Sequence, residues 1–344
     1  MHGQKYCMLK TVLHYKKTIT GGFMVTRKAA LLVIAGILCF AGMASAHHPS
    51  GGVGLGQTGP IRTTPATTLS GGMFSFAVQA EYISLDSFSD SDLLGFSGRG
   101  KDAHTADSVF HAIMGIGYGI TNNLTISINI PYEQVNNIRE AHSDEPDEIH
   151  QHGDAKGFGD MTIMAHYRFM KTDDKLEAAV LGGLKIPTGK TNDRDIHGET
   201  FEAEFLPGSG AWSPIFGIAA TKKIGRVSLD TNVQYTIRNG GTQVTNLGDL
   251  FNYNAAISYR AVDGDFAWDL ILEANGEWKE KQKTRGTWDG NSGGHMIFIS
   301  PGTRLVMGKK VSAFLSIGIP VLQDLNGIQD DTNLKSLFGI SFSF

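Results

Sequence analysis

The stretch Phe110-His111-Ala112-Ile113-Met114-Gly115-Ile116-Gly117-Tyr118-Gly119-Ile120, then Thr121-Asn122-Asn123, then Leu124-Thr125-Ile126-Ser127-Ile128-Asn129-Ile130-Pro131-Tyr132 decides the fold. In its first part Phe110, Ala112, Met114, Ile116, Tyr118 and Ile120 alternate with His111, Gly115, Gly117 and Gly119. In its last part Leu124, Ile126, Ile128, Ile130 and Tyr132 alternate with Thr125, Ser127 and Asn129. A period of two sends alternate side chains to opposite faces of a pleated strand. Two such strands joined by three polar residues form a hairpin whose faces meet different media.

The same pattern continues in both directions. Segments of roughly ten residues alternate at Met73–Ser84 and at 161–169, where Met161, Ile163, Ala165, Tyr167 and Phe169 oppose Asp160, Thr162, His166 and Arg168. Further strands are predicted at Leu176–Ile186, Trp212–Thr221, Arg226–Ile237, Phe251–Ala261, Phe266–Trp278, Met296–Leu305, Val311–Val321 and Leu334–Phe344, about twelve in all. A soluble β-sandwich also alternates, so the connections carry the decision. Short links (121–123, 171–175, 222–225, 262–265, 306–310) alternate strictly with long ones (85–108, 133–157, 188–211, 238–249, 279–295, 322–333). Short turns on one rim and long loops on the other are the layout of a transmembrane barrel. The expected fold is therefore all-β: an antiparallel up-and-down outer-membrane β-barrel with short periplasmic turns and long extracellular loops.

That topology places Tyr118, Tyr167, Phe169, Tyr259, Phe266, Trp268 and Phe342 at the periplasmic end of the outward face. Tyr82, Tyr132, Tyr235, Phe251, Tyr253 and Trp278 fall at the outer end, giving two aromatic girdles. Outer-membrane lipid is the partner these faces call for. The last strand, Phe338-Gly339-Ile340-Ser341-Phe342-Ser343-Phe344, resembles the signal that such barrels present to the barrel-assembly machinery, with Phe344 as its terminus.

The composition permits this reading. The 344 residues are 41% hydrophobic, and the mean hydropathy of -0.11 is what alternating strands average to. Arg27 and Lys28, the apolar run Ala29–Met43 and Ala44-Ser45-Ala46 read as a signal peptide, so residues 1–46 are expected to be removed, with Met24 as the expected true start. Those residues hold both cysteines, Cys7 and Cys39, together with six Lys/Arg and no Asp/Glu. The mature chain then has no thiolate for a disulfide or metal site, and its formal net charge falls from -4 to -10, which argues against nucleic acid. Residues 47–70, rich in Gly, Pro and Thr, form a lead that fits equally inside the lumen or in the periplasm, and 71–344 form the barrel.

Strand directions turn Asp160, His166, Arg168, Glu177, Arg226, Arg260, Glu273, Glu277 and Arg304 toward the lumen. The four arginines lie toward the periplasmic mouth with Glu177 nearby, and Asp160, Glu273 and Glu277 lie higher. Two readings fit: a lumen whose charge changes sign along its axis and orients a solute, or side chains that pair and stiffen the wall. Inward glycines such as Gly119, Gly183, Gly217, Gly318 and Gly339 leave room for inserted chain or for curvature.

Two His-containing clusters point to metal. His47-His48 at the mature N-terminus offers an amine and two imidazoles, and loop residues His142, His150 and His152 stand among Asp144, Glu145, Asp147, Glu148 and Asp154. No nucleophile motif accompanies His111 and Asp160, and the Gly-x-Gly run at 52–56 precedes no strand-to-helix unit, so neither an enzyme nor a cofactor is expected.

The stretches Gly115-Ile116-Gly117-Tyr118-Gly119-Ile120-Thr121-Asn122-Asn123-Leu124, Gly157-Phe158-Gly159-Asp160-Met161, Leu184-Lys185-Ile186-Pro187-Thr188-Gly189 and Pro207-Gly208-Ser209-Gly210-Ala211-Trp212-Ser213-Pro214 resemble the outer-membrane family named for the MetA pathway of phenol degradation. The resemblance implies a transporter-type barrel of about twelve strands passing small, aromatic or apolar, solutes. It supplies no catalytic residue. Passive or gated diffusion of a small solute is the expected activity, with metal handling or a non-transporting structural or adhesive barrel as alternatives.

Overall fold

A computed structural model describes residues 59–308 and 310–344. The signal segment and the His47-His48 pair lie outside the described residues. Twelve long antiparallel strands form the wall: β1 Phe74–Asp86, β2 Ser108–Thr121, β3 Leu124–Ala141, β4 Thr162–Lys171, β5 Leu176–Lys185, β6 Ser213–Ile224, β7 Val227–Thr236, β8 Leu250–Val262, β9 Phe266–Lys279, β10 Gly294–Met307, β11 Val311–Leu325 and β12 Asp331–Ser343. Each pairs with its sequence neighbours, and β1 pairs with both β2 and β12, so the sheet has no free edge. Closure is what lipid demands, because an unpaired backbone N–H or C=O has no water to turn to there.

The seam is made by the chain terminus. Phe76 faces Phe342 and Val78 faces Ile340, and Phe74 and Phe344 exchange both backbone hydrogen bonds, at 2.8 and 3.0 Å. Outward apolar side chains such as Val78, Ile116, Ile218 and Leu272 are exposed, whereas Ser75, Ala77 and Gln79, one residue out of phase, are buried inside. The two sides of each strand thus follow the alternation read from sequence.

The long connections carry structure that periodicity did not show. The first holds a short helix, α1 (Asp90–Ser97), capped by Ser89 and Asp92. The link expected at 133–157 is largely strand: β3 runs on to Ala141 and pairs with a second strand, His150–Phe158, as a ribbon standing above the wall. Asn137 takes a left-handed φ of 54° where the register of that ribbon shifts, the extra twist typical of a bulge. Loop 186–212 folds inward, where Phe201, Phe205 and Leu206 pack with Ile83, Leu85, Val109, Val135 and Ile138. The outer end of the barrel is therefore roofed by an apolar cluster made jointly by wall and loop.

Candidate functional site: the lumen and its two closures

The interior is entered from the periplasmic side by the chain itself. Residues 60–63 rise to mid-height, where both carboxylate oxygens of buried Glu273 accept the backbone N–H groups of Ile61, Arg62 and Thr63 at 2.8–3.3 Å. The segment then descends. Thr64 N–H donates to Asn232 Oδ1 (3.0 Å), Ala66 N–H to Thr221 Oγ1 (2.9 Å), Leu69 N–H to Thr125 Oγ1 (2.9 Å) and Gly71 N–H to Asn122 Oδ1 (2.9 Å). Because a proline-containing strap has no strand partner, wall side chains supply the acceptors its backbone requires. Ile61 packs on Ile271, Phe314 and Leu337, and Arg62 pairs with Glu81 of β1.

Glycine makes the space for this strap. A Cβ on Gly119 would lie 2.0 Å from the carbonyl oxygen of Ser70, and one on Gly302 would lie 2.8 Å from Ile61 Cδ1. At Gly183 and Gly339 the neighbours are instead the wall's own Met164 and Phe314. Inward glycine thus serves the inserted chain at some positions and wall packing at others.

In the periplasmic half the inward charges are matched. Arg168 Nη1 meets Glu177 at 2.7 Å and Nη2 reaches Asn122 O, while Arg260 forks onto Asp269 of the neighbouring strand. Arg304 is fully buried, donating to Pro60 O (2.9 Å) and Ser312 Oγ (3.2 Å) with its guanidinium 4.8 Å over Phe314. His166 lies beside the Ala66 backbone. Of the four arginines Arg226 is the loosely held one, lining with Gly59, Pro65, Arg260 and Asp269 a cleft of about 240 Å³ at this mouth. A charge that changes sign along the axis is not what these residues build: acid and base are paired across adjacent strands, or bound to the strap. Asp269, the partner of Arg260, was readable from Phe266, Trp268 and Leu270 pointing out.

In the outer half, Asp160 is completely buried and ties down loop 186–212, accepting Gly189 N–H (2.9 Å), Ser209 N–H (2.9 Å) and Ser209 Oγ–H (2.6 Å). Above it the ribbon brings the three loop histidines into one row. His150 Nε2 is 2.8 Å from Glu145, the rings of His142 and His150 are 5.2 Å apart, and Glu140 lies 3.6 Å from His142 and 3.4 Å from His152. His152 also meets Asp195 at 2.8 Å; the hydrogen bond to Glu140 raises its pKa to about 9 against the opposing effect of burial, with Asp195 adding to the rise. His104, not singled out by sequence, sits 2.9 Å from Glu204. Burial alone would lower its pKa, but Glu204, Glu202 and Glu140 together push it up to about 10.

Glu277 ends apart from all of these. It is buried at the outer end of β9 and its Oε1 has no hydrogen-bond partner. Arg238 and Lys279, each just past a predicted strand end and so left unassigned by the alternation, lie in its field, and Lys185, on the inward face of Glu177 and Gly183, lies in that of Arg238.

A closed antiparallel barrel with an apolar outer face, a polar interior and long loops on one rim is an outer-membrane β-barrel, and the outer membrane is where this protein resides. Residues 105–321 match the model of the family described as putative MetA-pathway of phenol degradation, and the chain belongs to that family. Among solved structures it is similar to the COG4313 outer membrane channel from Pseudomonas putida F1, with 16% identity over 81% of this chain and 98% of that one and a TM-score of 0.60. More distant likenesses include the toluene transporter TbuX from Ralstonia pickettii (7% identity, 80% and 90% covered, TM-score 0.42) and the NanC porin (9%, 78% and 98%, TM-score 0.42). A comparison with curated proteins found no match.

Proposed function

We propose that this protein is an outer-membrane channel through which small solutes, aromatic or apolar ones among them, diffuse passively or under the control of the strap and loops. The observation that carries this reading is how the lumen is occupied. A barrel serving only as structure fills its interior with packed side chains. Here the periplasmic half is filled by residues 60–71, held by hydrogen bonds to wall side chains, the Arg62–Glu81 ion pair and the packing of Ile61, and not by strand pairing, so that its withdrawal would break no wall ladder. Membership in a family described by phenol degradation, and the likeness in fold to an outer membrane channel, agree with passage of small aromatic molecules.

The test is conductance in planar bilayers, with mature protein and with protein lacking residues 47–70, followed by liposome swelling with phenol. Current that is small in the first and large in the second is expected. Absence of current and of swelling from both proteins sinks the channel.

A second reading, capture of a transition metal at the outer rim, rests on Glu145, Glu148 and His150, whose ligand atoms lie within 4.8 Å of one another beside His142. Zinc titration of the intact protein and of a His142→Ala/His150→Ala double variant tests it; equal binding by both removes the site.

A further inference from the structure

Five consecutive strands, β5 to β9, bring three cations to one arc of the outer mouth. Lys185 is the last residue of β5, Arg238 lies two residues beyond β7, and Lys279 closes β9. Arg238 is 8% exposed and Lys279 7%. Among the described residues none of the three side chains makes a hydrogen bond or ion pair, and Arg238 Nη1 is buried without a partner. The cations lie within electrostatic reach of one another: Arg238 repels both Lys185 and Lys279. Carboxylates share their field, Glu133 acting on Lys185 and Arg238, Glu277 on Arg238 and Lys279, and Glu204 and Asp289 on Lys279, yet none of them closes onto one of these three cations. Asn252, opposite Glu277 across β8 and β9, adds a buried amide with no acceptor.

Desolvated cations left unpaired cost several kcal/mol each, and elsewhere in this lumen Arg168 and Arg260 avoid that cost with close partners. Two nearby acids are satisfied internally and do not compete for the role: Asp160 holds loop 186–212, and Asp249 accepts the Arg238 backbone N–H and the Tyr235 hydroxyl. Between Lys185, Arg238, Pro207 and Ser213 a void of about 10 Å³ remains, the space of one water or one carboxylate oxygen.

We infer that Lys185, Arg238 and Lys279 form an anion-recognition site at the outer mouth that takes the carboxylate of a small organic acid, with Arg238 as its fork. The inference rests on the channel reading and narrows its solute class. Arg238 offers the planar donor geometry that a carboxylate matches, and Lys185 and Lys279 supply flanking charge.

The experiment uses the intact mature protein, its Arg238→Gln and Arg238→Lys variants, and a Lys185→Gln/Lys279→Gln double variant, with heat-dependent gel mobility confirming that each barrel is folded. Benzoate and its neutral analogue benzamide are titrated calorimetrically, and reversal potentials are read in a KCl gradient. Benzoate should bind and benzamide should not. Arg238→Gln should weaken benzoate by about tenfold, with Arg238→Lys intermediate, and each neutralised cation should lower chloride over potassium selectivity by about fivefold. Equal benzoate binding in parent and Arg238→Gln, or no binding in the parent, overturns the site. Calorimetry needs no open pore, so a site without conductance would count against the channel and not against anion recognition.

Discussion

In the periplasmic half of the lumen Arg168 closes on Glu177, Arg260 on Asp269 and Glu273 on the strap, whereas in the outer half Arg238, Lys185, Lys279 and Glu277 stand near one another without closing. The wall is the same in both halves, so the difference lies in the fillers. A strap of backbone amides can be matched acceptor by acceptor, and of the four arginines in that half Arg226 is left loosely held. A loop lid packed through Phe201, Phe205 and Leu206 covers the mouth with carbon and leaves the rim charges to whatever enters. The lower closure is a matter of satisfied polarity and the upper one of apolar cover.

The largest expected effect breaks the lower closure. Removing residues 47–70 leaves Glu273 and Arg304 facing water in an emptied lumen, and single-channel conductance should rise by roughly tenfold. Glu273→Ala, which deletes the acceptor for three N–H groups, should give brief openings to the same level. Unchanged current in both would mean that the strap does not set the pore.

The contrast in pairing makes a prediction with opposite signs. Arg168→Ala strands Glu177 in a buried site and should destabilise the barrel by about 3 kcal/mol in urea unfolding followed by gel mobility. Arg238→Gln removes a buried cation that has no partner, so it should be neutral or slightly stabilising. If both cost the same, the two halves do not differ in the way their contacts suggest. Asp160→Ala, with a smaller effect, removes three hydrogen bonds to loop 186–212 and should loosen it by about 2 kcal/mol, read as faster tryptic cleavage at Lys190 or Arg194.

Strand positions and sidedness were legible because lipid and water impose a strict period of two on the wall. Glu81, Arg168, Glu177, Glu273 and Arg304 follow from that period alone. The strap's path was not legible: Gly59–Ser70 has no period, and its placement depends on acceptors such as Asn232 and Thr221 far away in sequence. The ribbon at 133–158 was hidden because outside the bilayer both of its faces are wet or loop-covered, so its burial no longer alternates with a clear meaning. Arg238 and Lys279 were hidden for a related reason, since alternation stops assigning a side where the predicted strands end; Lys185, on the face of Glu177 and Gly183, was within reach of the period but not singled out. The ribbon brings His142, His150 and His152, grouped in the sequence by composition, near one another, but Glu140, which lies beside His142 and His152, belongs to β3 and was out of reach of that argument.

The smallest effect concerns pH and the upper closure. His104 in its charged form clamps Glu204 of loop 186–212 to the minor strand Ala103–Thr105, and its pKa is raised from 6.5 to about 10 despite burial. A histidine raised in the folded state gives its full stabilisation below the unfolded value and loses it as pH climbs toward the folded one, here between about 6.5 and about 10. Glu202 is open to water but walled in; burial and then the charges of Glu204 and Glu140 raise it to about 7. An acid raised in the folded state stabilises least when ionised, so it too weakens docking as pH rises through about 7. Both groups act in one direction, and the lid should be tightest in acid. Cleavage of loop 186–212, normalised to an unfolded peptide of the same sequence, should be a few-fold faster at about pH 9.5 than at about pH 6. His104→Gln should flatten most of that dependence while leaving the strap and its conductance unchanged, because the strap's contacts lie in the other half of the barrel.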